Sequence, residues 1–328
     1  MNVAIELHLH LEGSLRPQRV ISLAEAYGRP DVIRECVADD GRSLIRCGDF
    51  MGFLNLFKAA TSVLRTPADY HAVALDLGES LATQGVKYAE VTVSYGVLQK
   101  RGYDPVPIQQ ALWEAGDEVQ TQHGLMMRWQ PDATRQWGPD AAWRVLEDAL
   151  RAGSELGVVA FGLGGDETSL PVSEFVPHFR DARRDGLGTT CHAGETGGAD
   201  SVRDAVLLGG VTRVGHGVGA ARDADVVRLL VDSGVHVECC PGSNVATGVL
   251  ESVAEHPLRK FLDAGISCSL STDDPTFFGT ELGEEYRIAQ DVLGVTEEEV
   301  KAMEVAAVDA SFAPAEVKAE LLGGSQPS

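Results

Sequence analysis

Eight short runs rich in β-forming residues recur along the chain, each giving out into polar or glycine positions: residues 5–10, 86–94, 125–130, 158–162, 189–192, 213–216, 236–239 and 267–271. Between most of them lie stretches of helical character, among them 141–156, 172–185, 201–208, 224–233 and 257–264. Strands alternating with helices of this length predict a parallel sheet, and eight repeats predict its closure into a (β/α)8 barrel. The gap between the first two runs is about seventy residues, far more than a crossover needs. It holds helix-like stretches at 19–27, 49–64 and 68–84, so the excess reads as a helical flap over the barrel mouth, spanning about residues 14–84. Within it Phe50, Phe53, Leu54, Phe57 and Leu64 recur at roughly helical spacing. A core face is the default reading, and a hydrophobic rim closing on substrate is the alternative.

The chain has 328 residues, a length one such barrel commonly fills. Residues 1–322 are therefore expected to form one domain, followed by a disordered tail at 323–328. No stretch approaches the ~18 uninterrupted apolar residues of a membrane helix. The N-terminus runs straight into the first strand pattern without the layout of a cleaved signal, which predicts a cytoplasmic protein. The six cysteines, Cys36, Cys47, Cys191, Cys239, Cys240 and Cys268, show no CxxC spacing and read as free thiols. Cys239 and Cys240, neighbours on a strand, point to opposite faces, which favours core packing over a shared metal. A formal net charge of −22 argues against nucleic-acid partners and, weakly, against a phosphorylated substrate. A solubilising acidic surface accounts for most of that charge.

Barrel enzymes place their chemistry at the C-terminal strand ends, and here those ends carry most of the reactive side chains. The first run ends in His8-Leu9-His10. Residues two apart share one side of a strand, so both imidazoles can meet one metal. The fifth ends in Cys191-His192-Ala193-Gly194-Glu195, where His192 offers a third nitrogen and Glu195 an acid separate from the ligands. A helix cap is the structural alternative for Glu195. After the sixth comes Gly215-His216-Gly217, whose glycines let the backbone approach a ligand closely, although a lone histidine there is more often structural.

The eighth run ends in Ser271-Thr272-Asp273-Asp274-Pro275. One aspartate completes a His3Asp set and its neighbour is left to orient water or substrate, unless the pair merely forms a turn and starts a helix. Each feature has its structural alternative; four of them in one mouth point to a metal site. No lysine ends the fourth run, where Gly162-Leu163-Gly164-Gly165-Asp166-Glu167 stands. A carbamylated lysine bridging two metals is therefore not expected, and a mononuclear site is favoured. The Pro-Cys-x-x-Cys pattern of the small zinc deaminases is also absent.

Taken together the chain resembles the adenosine/AMP deaminase family of zinc amidohydrolases. The matching motifs are Glu6-Leu7-His8-Leu9-His10-Leu11-Glu12-Gly13-Ser14, Gly164-Gly165-Asp166-Glu167, His192-Ala193-Gly194-Glu195, Arg213-Val214-Gly215-His216-Gly217, Cys240-Pro241-Gly242-Ser243-Asn244 and Ser271-Thr272-Asp273-Asp274-Pro275, in the family's order. The resemblance implies one zinc per chain, held by His8, His10, His192 and Asp273. It implies that Glu195 protonates the purine N1 and that His216 handles the proton of the attacking water. Asp274 would bind the N7 side, and the Gly165 amide would approach N3. Glu12 stands where nucleoside deaminases of the family usually carry an aspartate that contacts the sugar.

The implied reaction is hydrolytic loss of the 6-amino group from adenosine or 2′-deoxyadenosine. Next comes a 5′-modified adenosine such as 6-amino-6-deoxyfutalosine, which some bacterial members deaminate. The segment Tyr88-Ala89-Glu90-Val91-Thr92-Val93-Ser94, with Trp129 and Arg135-Gln136-Trp137-Gly138, is similar to that branch. Free adenine follows, and AMP is disfavoured by charge and by the lack of an arginine cluster. A different class, a metal-dependent phosphoesterase on a similar barrel, also begins with HxH, but it needs more metals and basic phosphate ligands. A catalytically dead binding protein is disfavoured because every expected catalytic residue is present.

Overall fold

Parallel strands follow one another round the molecule in sequence order. The computed structural model describes residues 4–46 and 50–323, and of Phe50 the backbone only. The strands are β1 (Ala4–His10), β2 (Val86–Val93), β3 (Met126–Thr134), β4 (Ala160–Gly164), β5 (Gly188–Ala193), β6 (Arg213–His216), β7 (His236–Cys239) and β8 (Cys268–Leu270). Each pairs in parallel with the next. The ring closes beyond the end of β8: His10 N–H donates to the Asp273 carbonyl at 2.8 Å, and Asp273 N–H to the His8 carbonyl at 3.0 Å. The expected (β/α)8 barrel is therefore the fold, and its seam is made by residues of the predicted site.

Between β1 and β2 lie α1 (Pro17–Ala26), α2 (Pro30–Cys36), α3 (Phe50–Ala60) and α4 (Pro67–Thr83), the predicted helical insertion. After β2 come α5 (Tyr95–Lys100) and α6 (Pro105–His123), and then α7 (Pro139–Ala152), α8 (Val176–Arg184), α9 (Gly198–Asp204) and α10 (Ala224–Ser233) follow β3 to β6 in turn. After β7 come α11 (Pro241–Ala246) and α12 (Leu258–Ala264); after β8 come α13 (Pro275–Phe278), α14 (Leu282–Asp291), α15 (Glu297–Ala310) and α16 (Ala315–Leu321). Local chemistry sets the ends. Thr66 and Asp69 form a reciprocal capping box ahead of α4, with Pro67 in its first turn. The Asp223 carboxylate caps the N–H groups of Asp225 and Val226 in α10, which stops at the left-handed Gly234.

Two strands differ from expectation in a way that matters at the mouth. The sequence predicts that the third strand ends at 130. Yet β3 runs on to Thr134: it pairs with β2 as far as Pro131 and with β4 from Asp132 onward. On the β4 side the ladder is interrupted at the proline: Trp129 bridges Val158, and pairing resumes at Asp132. β4 is shifted two residues later than expected and ends at Gly164, while Val158 makes only an isolated bridge to Trp129. The helix expected at 201–208 is α9 followed by a π-turn over Ala205–Gly209.

The barrel interior is not all aliphatic. Arg213 of β6 is fully buried, pairs with Glu90 of β2 and Glu238 of β7, and donates to Gln130 of β3 at 3.1 Å. Buried charge is tolerated there because each group has a partner. Cys191, Cys239, Cys240 and Cys268 are buried thiols, with Cys240 just past the end of β7 rather than on it. Cys47, Asp49, the Phe50 side chain and the tail beyond Gly323 lie outside the described residues. Among the described residues no helix is long and apolar enough to cross a membrane.

Candidate active site

The predicted residues converge at the mouth. His10 Nε2 lies 3.3 Å from His192 Nε2 and 3.3 Å from Asp273 Oδ1, and His8 Nε2 lies 3.4 Å from the same oxygen. His216 joins from β6, with Nε2 at 4.0 Å from Asp273 Oδ2 and 3.8 Å from Glu195 Oε2. The donor atoms of His8, His192, His216 and Asp273 all lie within 4.8 Å of one another, as do those of His10, Asp273 and Asp274. The expected four are thus interleaved with His216 and Asp274 in one cluster.

The backbone is bent to make this possible. His216 (φ 66°) and Asp273 (φ 62°) are the non-glycine residues in the left-handed region among those described. That conformation is costly for a residue with a Cβ and persists where surrounding contacts enforce it. Gly215 is required for a different reason: a Cβ there would lie 2.4 Å from Cε1 of His8. Gly13 likewise leaves room for Asp274, whose Oδ1 would lie 1.9 Å from an added methyl.

Of the structural alternatives for the two carboxylate motifs, the helix cap fails for Glu195, whereas the helix start holds for the aspartate pair. Glu195 does not cap α9, whose N-cap, Gly197, has no side-chain hydrogen bond. Asp274 is the N-cap residue of α13 and Pro275 its first residue, so the pair does start a helix, but the Asp274 side chain makes no cap hydrogen bond. Asp274 is buried and Glu195 nearly so, and both carboxyls are perturbed. Burial, then Asp273 and Glu167, pushes the Glu195 carboxyl well above the ordinary range. Burial and the neighbouring Asp273 carry Asp274 up to about 8. Burial holds His216 down at about 4, and His192 well below its ordinary value, so both rings keep a lone pair at neutral pH. Burial would lower His8 too, but Asp273 and Glu238 outweigh it and raise the ring to about 10. A spot where carboxylates hold a proton this firmly is one that favours a cation.

Around these residues stands a supporting set that sequence reasoning missed. Glu238 Oε2 lies 2.7 Å from His8 Nδ1, so that nitrogen donates outward and Nε2 faces the cluster with no hydrogen-bond partner of its own. Burial raises Glu238, but Arg213 and His8 outweigh it and bring the carboxyl to about 2. Ser243 Oγ donates to Asp273 Oδ2 at 2.6 Å, and Asn244 Nδ2 lies 3.2 Å from His216 Nδ1. Both belong to the Cys240-Pro241-Gly242-Ser243-Asn244 motif, which had carried no role. Glu167 accepts the N–H groups of Gly194, Glu195 and Gly197 at 2.8–3.0 Å and so fixes the loop that presents Glu195. A polar residue at an inward strand position, as at Glu238, was the signal available for that one.

The two remaining predicted residues also lie at this end of the barrel. Glu12 is buried (1% exposed); its Oε1 accepts the Ser94 N–H at 3.2 Å and its Oε2 has no partner. Gly165 follows β4 with φ 86°, against Thr134 and Gln136.

The arrangement has clear relatives. The family model described as adenosine deaminase matches residues 4–325. An adenine deaminase of Mesorhizobium japonicum is 36% identical over 98% of this chain and 98% of its own. An aminodeoxyfutalosine deaminase of Streptomyces avermitilis is 33% identical over 96% of this chain and 88% of its own. Among solved structures, an adenine deaminase of Arthrobacter aurescens superposes with a TM-score of 0.86 at 28% identity, covering 98% of this chain and 97% of the other. With strand order, mouth and motifs in agreement, the chain belongs to the adenosine deaminase family, enzymes that hydrolyse an amidine C–N bond of an adenine-type substrate.

Proposed function

We propose that this protein is a zinc-dependent hydrolase that removes the 6-amino group of an adenine nucleoside, with His8, His10, His192 and Asp273 as the metal ligands. The observation that carries the reading is the spacing of those ligands. Donor atoms of a tetrahedral zinc with bonds of ~2.0–2.1 Å lie about 3.4 Å apart. The contacts His10–His192, His10–Asp273 and His8–Asp273 measure 3.3, 3.3 and 3.4 Å. His216 shares the cluster with His8, His192 and Asp273 within 4.8 Å, but its Nε2 lies 4.0 Å from Asp273 Oδ2, longer than the three contacts above, and we assign it to proton transfer. Three imidazoles and one carboxylate suit zinc.

Zinc held there supplies Lewis acidity, which brings the deprotonation of water to a pKa of ~7. The chain's own groups do the rest. A protonated Glu195 donates to the purine N1, neutralising the charge that builds there as water adds to C6. His216 takes the proton of that water at Nε2 while its Nδ1 is held by the Asn244 amide. Neutral Asp274 donates to N7, and the Gly165 amide faces N3. His216 returns the proton to the amino group, the C6–N bond breaks as the C6 hydroxyl proton passes to the Glu195 carboxylate, and ammonia and the 6-oxopurine remain.

The nucleoside reading is supported by Glu12, a buried acceptor with a free oxygen on the sugar side. A second reading, free adenine, is favoured by relatives that carry that name. Ammonia release from adenosine, 2′-deoxyadenosine, 6-amino-6-deoxyfutalosine, adenine and AMP separates them. The proposal expects the nucleosides to exceed adenine in kcat/KM; the reverse order refutes it.

A further inference from the structure

We propose that Asp132 is a substrate-specificity residue, which with Glu12 forms an acceptor pair for hydroxyl groups of the sugar on N9. The inference rests on the purine orientation given above and extends it to a residue no motif had marked. On β3 the Gln130 side chain points into the barrel, donating to the Leu7 and Glu90 carbonyls at 3.2 and 3.1 Å. Asp132, two residues on, faces the same way one layer closer to the mouth. A methyl placed on Gly164 would lie 2.4 Å from Asp132 Oδ2 and 3.4 Å from His192 Nδ1, so carboxyl and imidazole face each other across that glycine.

Asp132 is 6% exposed, yet no hydrogen bond or ion pair engages its carboxyl among the described residues. Such burial without a partner is costly and is a standing signal of a group kept for a ligand. The cost shows in the carboxyl itself, which burial carries up to about 7 despite nearby His10. Glu12 adds a wholly buried and unpartnered oxygen, Oε2, from the other flank, while the Asp132 oxygens keep an opening toward the mouth. A bare acidic cluster would mean little; two buried, unpaired carboxyls in the active-site mouth lack donors.

Their placement names the donors. Glu12 adjoins Gly13, which touches Asp274, the group assigned to N7. Asp132 adjoins Gly164, next to Gly165, the group assigned to N3. In a purine, N9 lies between the N7 and N3 sides, so the two carboxyls flank whatever N9 carries. Free adenine brings a single N–H there, whereas a ribose brings hydroxyl donors in plural. The same pair disfavours a phosphate at that position by like charge.

Binding of inosine and of hypoxanthine to the zinc-loaded protein, by calorimetry, tests this independently of turnover. Asp132→Ala should weaken inosine about tenfold, the scale of one buried hydrogen bond, and leave hypoxanthine within about twofold. Asp132→Asn, which keeps the shape, should follow in the same direction with zinc content unchanged. Equal loss on both ligands, no loss on either, or loss of zinc in both variants would overturn the assignment. Failure of the deaminase reading is a separate result: no ammonia from any adenine compound, whatever inosine binding shows.

Discussion

The carboxylate of Glu238 lies 2.7 Å from Nδ1 of His8, on the side of the ring away from the metal cluster. This contact fixes the tautomer, aims Nε2 inward and makes the ring a stronger donor. Glu238 is itself held by the buried Arg213 at 2.6 Å.

Glu238→Gln should therefore lower zinc affinity by roughly 10–100-fold, the usual scale for a group behind a ligand. Competition with a chelator, on samples whose fold is verified by circular dichroism, measures it. Unchanged affinity would show that His8 needs no help from behind.

Glu195→Gln should keep zinc and lose activity by about 10²–10⁴-fold, because the variant removes a proton donor and no ligand. Zinc analysis and kcat on one preparation settle both points. Loss of zinc would make Glu195 a ligand and undo the division of labour between it and His192.

The flap has a mixed character that two variants should separate. Phe53 of α3 is 9% exposed and packs against Phe278 and, edge-on, Phe277 of α13 with ring centroids 5.0 and 5.9 Å apart, directly after the Asp273-Asp274 pair. Phe57 is only partly buried, 5.3 Å from Phe277. Phe53→Ala should cost the ~3–5 kcal/mol of a core phenylalanine, whereas Phe57→Ala should cost less and raise KM. Denaturant midpoint and KM measured together test this, and a raised KM at full stability for Phe53→Ala would reverse the assignment.

His256 predicts a pH effect remote from turnover. Burial, and secondarily His216, depresses its ring from the ordinary 6.5 to about 3. Below pH 6.5 the unfolded chain then binds a proton that the folded one refuses, so its contribution to stability is present above 6.5 and is lost as pH falls toward 3. The denaturation midpoint of His256→Gln should accordingly fall less steeply between pH 6.5 and 4 than that of the parent. Equal slopes would mean that the ring titrates normally.

The barrel was legible because its strands alternate with helices and run out in polar residues, and because parallel strands deliver those ends to one mouth. The metal and acid residues followed, since they sit at strand ends within short motifs. Asp132 escaped because the β-forming run gives out at 130, and only the pairing of Asp132, Ala133 and Thr134 with β4 shows that the strand continues. Ser243 and Asn244 escaped for a different reason: their roles are contacts made across the barrel, and local spacing carries no trace of them, while Glu238 left only its polar character at an inward strand position. The left-handed backbone at His216 and Asp273 is also invisible in composition, because side chains other than glycine seldom adopt it.

The central claim is tested most directly by adding zinc to metal-free protein in measured equivalents and following ammonia release from adenosine. The account predicts activity that rises linearly and stops at one equivalent, with His192→Ala inert throughout. Activity without metal, or a plateau at two equivalents, would contradict it.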